Sequence, residues 1–194
     1  MIDVRVLTGA GLDAALDAVA RLRISVFREW PYLYDGHLDY ERDYLNAYRN
    51  NPSAVLVGAF EGEQLIGAAT GMPMLHHADE FASAFQNLNW NLADVFYCAE
   101  SVLLKTYRGR GIGHKFFDLR EEHARALGCR KVAFCAVQRP INHSLRPPDY
   151  RPLDAFWNKR GYTSVPNAIA HFSWKDIDVA TETTKPLQFW ARDL

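Results

Sequence analysis

The chain predicts an α/β (α+β) fold: a single domain on a mixed, mostly antiparallel sheet of six to seven strands, packed with helices. Three observations carry this expectation. Residues 54–60 and 65–70 are two β-type runs joined by Glu61-Gly62-Glu63-Gln64, which has the chemistry of a hairpin turn. A strand, a glycine-rich loop and a helix follow one another directly between residues 93 and 128, and the apolar run 132–137 closes them into a parallel crossover. With 194 residues, 48% of them hydrophobic, the chain suits one compact core better than two small ones.

The remaining elements follow in order. Residues 1–7 alternate apolar and polar like a strand, and Leu12, Leu16, Val19, Leu22, Val26 and Phe27 then recur at helical spacing. This first helix must stop near Trp30-Pro31, because proline disfavours helix in the residue before it. Tyr40, Tyr44, Leu45 and Tyr48 trace a second helix ending before Asn51-Pro52, and a short helix is predicted around 80–86. Residues 93–104 predict one long apolar strand carrying Glu100, whose alternation with Cys98, Val102 and Leu104 puts all four on one face. Phe116, Phe117, Leu119, Ala124 and Leu127 mark the next helix, with Gly128 as its left-handed cap. After a proline-rich stretch at 146–152, a short helix runs to Gly161. Strands 162–165 and 169–174 are expected to pair with each other through Pro166-Asn167, and the apolar tail 185–190 to dock on the body.

Composition excludes several functions. A net charge of −1 with balanced acids and bases offers no broad cationic face for nucleic acid. Cys98, Cys129 and Cys135 form no CxxC pair, so neither a disulfide framework nor a metal site is expected. No apolar run is long enough for a signal peptide or membrane span, and a cytoplasmic protein without a membrane partner is expected.

The chemistry concentrates in Arg108-Gly109-Arg110-Gly111-Ile112-Gly113-His114, between a buried strand and a helix N-terminus. Such a terminus presents unpaired N–H groups and the positive end of the helix dipole, and glycines let the backbone approach an anion. Lys105, Arg108, Arg110 and Lys115 add positive charge. A dinucleotide GxGxxG would need glycine where Phe116 or His114 stands, and the GxxxxGK[ST] triphosphate loop is absent.

The pattern that fits is [Arg/Gln]-x-x-Gly-x-[Gly/Ala], carried by Arg108, Gly111 and Gly113, within the longer run Leu103-Leu104-Lys105-Thr106-Tyr107-Arg108-Gly109-Arg110-Gly111-Ile112-Gly113. In this the chain resembles the GNAT superfamily of acyl-CoA N-acyltransferases. The resemblance implies a twisted sheet with helices on both faces, splayed between its fourth and fifth strands. It also implies acetyl-CoA as co-substrate, with the diphosphate on the amides of residues 108–114 and the pantetheine arm and thioester oxygen on backbone near Val102, Leu103 and Leu104. The acceptor is then an amine of a small molecule or peptide, and a homodimer is left open.

Acetyl transfer needs a neutral amine, and a free alkylamine of pKa about 10.4 must lose a proton first. Glu100, in an apolar strand, is the candidate base, with His76 and His77 as alternatives; the competing reading pairs Glu100 with an arginine. In the resembled family a tyrosine four residues before the glycine of a Gly-Phe pair protonates the leaving thiolate. Here the pair is Gly161-Tyr162 and Trp157 stands at that place, an indole that cannot act as an acid near neutrality, so Tyr150 is the substitute candidate. Acceptor recognition in the family comes from the region between the first helices, here Trp30, Tyr32, Tyr34, Asp35, Asp39, Tyr40, Glu41 and Asp43. The plainer reading makes Tyr40 and Tyr44 the core face of the second helix and the acids its solvated face. Two other classes compete: a non-catalytic acyl-CoA-binding domain and a nucleotide-binding module.

Overall fold

A computed structural model describes the backbone of residues 1–194 and the side chains of all but Ala78, Asp79, Glu80 and Ala82. The elements are β1 (Ile2–Leu7), α1 (Gly9–Phe27), α2 (Leu38–Arg49), β2 (Val55–Glu61), β3 (Gln64–Pro73), α3 (Ala78–Phe85), β4 (Val95–Tyr97) and β5 (Ser101–Leu103). They continue with α4 (Ile112–Ala126), β6 (Lys131–Val137), α5 (Asp154–Lys159), β7 (Thr163–Lys175) and β8 (Glu182–Asp193). The strands form one sheet in the order β1-β2-β3-β4-β6-β8-β7, with β5 also on β3. Only β4 and β6 run parallel; the other neighbours are antiparallel.

Alternation along β2 explains the layers. Val55, Val57 and Ala59 point to the face covered by α4, where Phe96, Ile112, Phe116 and Phe117 pack, while Leu56 points to Val19, Leu22 and Leu45 of α1 and α2. A third cluster joins Phe81 and Phe85 of α3 to Tyr97 and Phe189. Each such large apolar side chain contributes roughly 1.5–3 kcal/mol over leaving it in water.

Two strand expectations are corrected. The strand predicted over 93–104 is broken in two. Met72 faces Tyr97 but Ala69 faces Ser101, so three steps along β3 meet four on the other strand. The extra residue is a β-bulge at Ala99 and Glu100: Ala99 N–H donates to Thr70 O (3.1 Å), and Thr70 N–H to Glu100 O (3.1 Å). A bulge shifts the alternation by one residue. Cys98 therefore points into the α4 cluster, while Val102 packs with α1 and Glu100 turns to Arg23 and Tyr44 on α1 and α2; Glu100 does not share the face of Cys98.

The second correction concerns the C-terminal third. Residues 162–165 and 169–174 do not pair with each other; both belong to β7, which pairs with β8. Ser164 faces Trp190 and Ile169 faces Gln188, so five steps on β7 oppose two on β8. Asn167 takes up the excess in a left-handed conformation (φ 62°), and the Gln188 side-chain amide donates to Val165 O (2.7 Å) and Ala168 O (3.3 Å). The apolar tail thus supplies the partner strand, seated between β6 and β7.

The sheet opens where β4 and β6 part. Their pairing runs from Val95/Lys131 to Tyr97/Ala133, and Cys98 N–H still reaches Ala133 O (2.8 Å). Beyond that point β6 pairs with β8 alone through Val137, and β5 stays on β3. Past the bulge, one edge of β5 faces this opening.

Candidate acyl-carrier and acceptor site

The loop at residues 108–114 ends in α4. Gly109 and Gly111 have φ of 77° and 80°, and a Cβ at either would meet nothing within 4 Å, so their conformation requires glycine rather than any contact. Tyr107, Arg108, His114 and Lys115 donate their N–H groups to Leu104, Lys105, Gly111 and Gly111 carbonyls, respectively. The N–H groups of Gly109, Arg110, Gly111, Ile112 and Gly113 have no acceptor among the described residues. Five unspent donors at a helix N-terminus, ringed by exposed Lys105, Arg108, Arg110 and Lys115, fit a diphosphate. Arg108 braces the approach: its Nε donates to Leu103 O (3.1 Å) and its Nη2 pairs with Glu29 (3.0 Å).

The β5 edge refines the backbone expectation. Leu104 N–H is spent on Ile66 O (3.0 Å), and Val102, two residues earlier and opposite Ala68, is in the same hydrogen-bonded register. Ser101 and Leu103 alternate with them and turn their N–H groups to the opening. Of the three positions Val102, Leu103 and Leu104, only Leu103 offers a free amide, and Ser101 was overlooked.

A buried charge network forms the wall beside the opening. Arg23 of α1 pairs with Glu41 of α2 and, at 2.5 Å, with Glu100; all three side chains are 8% exposed or less. Tyr44 donates to Glu100 Oε2 (2.8 Å) and lies 2.9 Å from the Tyr48 hydroxyl. Burial alone would lower the pKa of Arg23, but Glu100, Tyr44 and Glu41 hold it well above its ordinary value, so it remains a cation. Burial, then the Glu100 charge, push the Tyr44 hydroxyl far up as well. Glu100 is therefore not the isolated acid of an apolar strand; the arginine partner weighed as the competing reading is present. Cys98 stays a thiol, its pKa pushed up to about 11 by burial.

The segment between α1 and α2 closes the wall. Arg139 donates to Pro31 O (2.8 Å) and Tyr32 O, and forms a two-pronged pair with Asp176; Lys185 reaches the same carboxylate at 3.0 Å. Burial works against the Asp176 carboxylate, yet Arg139 and Lys185 hold its pKa below the usual range. So anchored, Tyr32 stacks on Trp174 and packs on Phe27. Its hydroxyl is pushed up by burial, then by Cys135 and Glu100, and so lies in the field of both banks of the opening. Tyr34 is raised by burial and by Glu41, and Trp30 meets His143 and Tyr150 edge-on. Tyr150 is half-buried there, its pKa raised by burial and Asp154.

Tyr32 feels the charges of both Glu100 and Tyr150, and Tyr34 that of Glu41, which puts Glu100, Tyr32, Tyr34 and Tyr150 in one neighbourhood. The structure does not bring in Tyr40, which is 62% exposed rather than part of the core, while Glu41, expected among solvated acids, is fully buried. His77, an alternative base, packs on Phe81 and Tyr97, and Trp157 packs between Phe134 and Trp190. Arg23 and Arg120 were overlooked and Glu41 was placed on the wrong face, although each had a signal. Arg23 falls four residues after Val19, Glu41 four before Leu45 and Arg120 four after Phe116, all on apolar helical stripes. Cavities of about 300 and 220 Å³ flank Trp90 and Lys131. None of the residues 108–114 lines either of them.

Comparison with known proteins agrees with the fold. The model of the acetyltransferase (GNAT) family matches residues 20–147. Among solved structures, a ribosomal-protein-alanine N-acetyltransferase from Brucella melitensis is 14% identical, with 99% of each chain covered and a TM-score of 0.62. A GCN5-related N-acetyltransferase from Kribbella flavida is 16% identical over 100% of this chain and 98% of its own, TM-score 0.59. The inferred acetyltransferase yncA of Salmonella typhimurium, solved with its cofactor acetyl-CoA, is 12% identical over 100% and 94%, TM-score 0.60. No curated protein matches the sequence significantly.

Proposed function

The chain belongs to the acetyltransferase (GNAT) family, and on that premise we propose that it moves an acetyl group from acetyl-CoA to a primary amine of a small molecule or peptide, by direct attack on the thioester. The observation that carries the reading is the set of five unspent N–H groups at residues 109–113. Those groups would hold the diphosphate, and the open β5 edge at Ser101 and Leu103 the pantetheine arm, as an added strand would be held. When bound there, acetyl-CoA supplies the activated acyl carbon.

The chain's own residues handle the protons. Glu100, oriented by Arg23 and Tyr44, is the proposed acceptor of the ammonium proton, directly or through one water. As nitrogen bonds to the acyl carbon and the C–S bond breaks, sulfur is owed a proton, and the second proton that leaves nitrogen passes through water to restore the group that supplied it. Trp157 cannot give sulfur its proton, and Tyr150, held against Trp30, is the proposed donor. Tyr32 and Tyr34 supply aromatic faces for the amine. Cys98, Cys129 and Cys135 form no disulfide, which suits a cytoplasmic setting, and among the described residues no helix is long and apolar enough to cross a membrane.

The test is thiol release from acetyl-CoA against a panel of amines, with Glu100→Gln as control. Loss of about 10²–10⁴-fold in kcat/KM is expected in the variant. Full activity across the pH profile would reduce Glu100 to a structural partner of Arg23. That ion pair and Trp157 favour one second reading, an acyl-CoA-binding domain without catalysis. It predicts a melting temperature raised by acetyl-CoA and no turnover with any amine.

A further inference from the structure

Arg120 is 1% exposed and, among the described residues, pairs with no carboxylate. Its guanidinium is spent on the bulge instead. Nη1 donates to Thr70 O (3.1 Å) and Glu100 O (3.0 Å), Nη2 to Ser101 Oγ (2.8 Å), and Nε to Phe116 O of its own helix (3.1 Å). A cation buried without a counter-charge is costly, and here its field falls on three carbonyls, one of which belongs to a peptide that faces the opening. Glu100 C=O and Ser101 N–H belong to the same peptide group. Arg120 and Thr70 N–H grip its oxygen, while its N–H points into the opening between β5 and β6, with no ladder partner. A hydrogen bond at a carbonyl oxygen polarises the amide and strengthens the N–H on its other side.

We infer that Arg120 is a positioning residue for acyl transfer: from behind the sheet it fixes the bulge and polarises the Ser101 N–H, which donates to the thioester oxygen as negative charge develops there. This rests on the acetyl-transfer reading. It explains why the bulge is braced by a charge rather than by an apolar side chain, and why the cation is directed at carbonyls. It also separates two tasks along one strand: the Glu100 side chain faces the amine wall, and the Glu100 carbonyl relays the Arg120 charge to the opposite edge.

The experiment compares Arg120→Met, which keeps length and loses every donor, with Arg120→Lys, which keeps the charge. For the methionine variant kcat should fall about 10- to 100-fold while KM for acetyl-CoA changes less than about threefold, and lysine should restore part of the loss. Infrared difference spectra with carbonyl-labelled acetyl-CoA provide a readout that a merely structural role would not move. The bound thioester band should sit below its aqueous frequency in the parent protein and relax towards it in Arg120→Met. If that variant does not fold, Ser101→Pro removes the same N–H from an edge where proline is tolerated, and the same band shift is expected. A parent-like band in the folded variants overturns the proposal. A parent protein that shows the Arg120-dependent band but turns over no amine sinks the catalytic reading, and with it the role in acyl transfer, while the polarised Ser101 N–H on the thioester oxygen stands.

Discussion

The loop at residues 108–114 and the Arg23–Glu41–Glu100 wall flank one strand, β5, and are built in opposite ways. The loop is local and made of backbone: seven consecutive residues, two glycines at positive φ and five free N–H groups. The wall is assembled from side chains on α1, α2 and the β4–β5 bulge, and its charges are buried. A loop of the first kind is specified by what its sequence lacks, namely side chains. A wall of the second kind is specified by distant partners, each of which must be present for the others to be tolerated. Damage should therefore separate: the wall governs stability, and the loop governs binding.

The sharpest way to break that contrast is Arg23→Met. It leaves Glu41 and Glu100 buried with no counter-charge, which costs about 3–5 kcal/mol when one partner of a buried pair is removed. Urea denaturation should show that loss at neutral pH. The folded fraction should still bind acetyl-CoA with parent affinity. A stability unchanged from the parent would mean that the wall is hydrated rather than buried.

The same contrast explains what could be read from sequence. The hairpin of β2 and β3, the α4 loop and the first two helices were legible because periodicity and turn chemistry act over a few residues. Glu100 was legible as a carboxylate in an apolar strand, and its neighbours were not. The bulge at Ala99 and Glu100 depends on which carbonyls β3 presents and on Arg120 lying behind them. The β7 bulge depends likewise on Gln188, a residue of a different strand. Pro166-Asn167 has the local chemistry of a turn, and only the arrival of β8 makes it a bulge. Arg23, Glu41 and Arg120 share one signal, a charge in the middle of an apolar helical stripe. Such a charge demands a partner without naming it.

Gly111→Val strikes the loop instead. At φ 80° a β-branched residue is strained by about 1–2 kcal/mol, while the Cβ itself would meet nothing within 4 Å. The melting temperature without ligand should fall by only a few degrees, because the strain sits at the surface. The stabilisation conferred by saturating acetyl-CoA on the parent should disappear, since relief of that strain moves the amides out of convergence. Retained stabilisation by acetyl-CoA would show that the carrier is held elsewhere, and the two regions would no longer divide binding from stability.

The smallest effect belongs to the pair that joins the two regions. Glu29, one residue before Trp30, meets Arg108 at 3.0 Å, and both side chains are 44% exposed. An exposed pair of this kind contributes within about 1 kcal/mol, so Glu29→Gln should leave the melting curve nearly unchanged. Its electrostatic effect is directional. Removing an anion beside Arg108 leaves that cation undivided for a diphosphate, and acetyl-CoA should bind roughly twofold tighter at low ionic strength, a gain that fades as salt screens it. Titration calorimetry at two salt concentrations measures this. A gain that persists at high salt would mean that Glu29 acts through geometry, by tethering the loop to the segment that leads into the wall. In that case the two regions would be mechanically coupled, and Arg23→Met should then weaken acetyl-CoA binding as well.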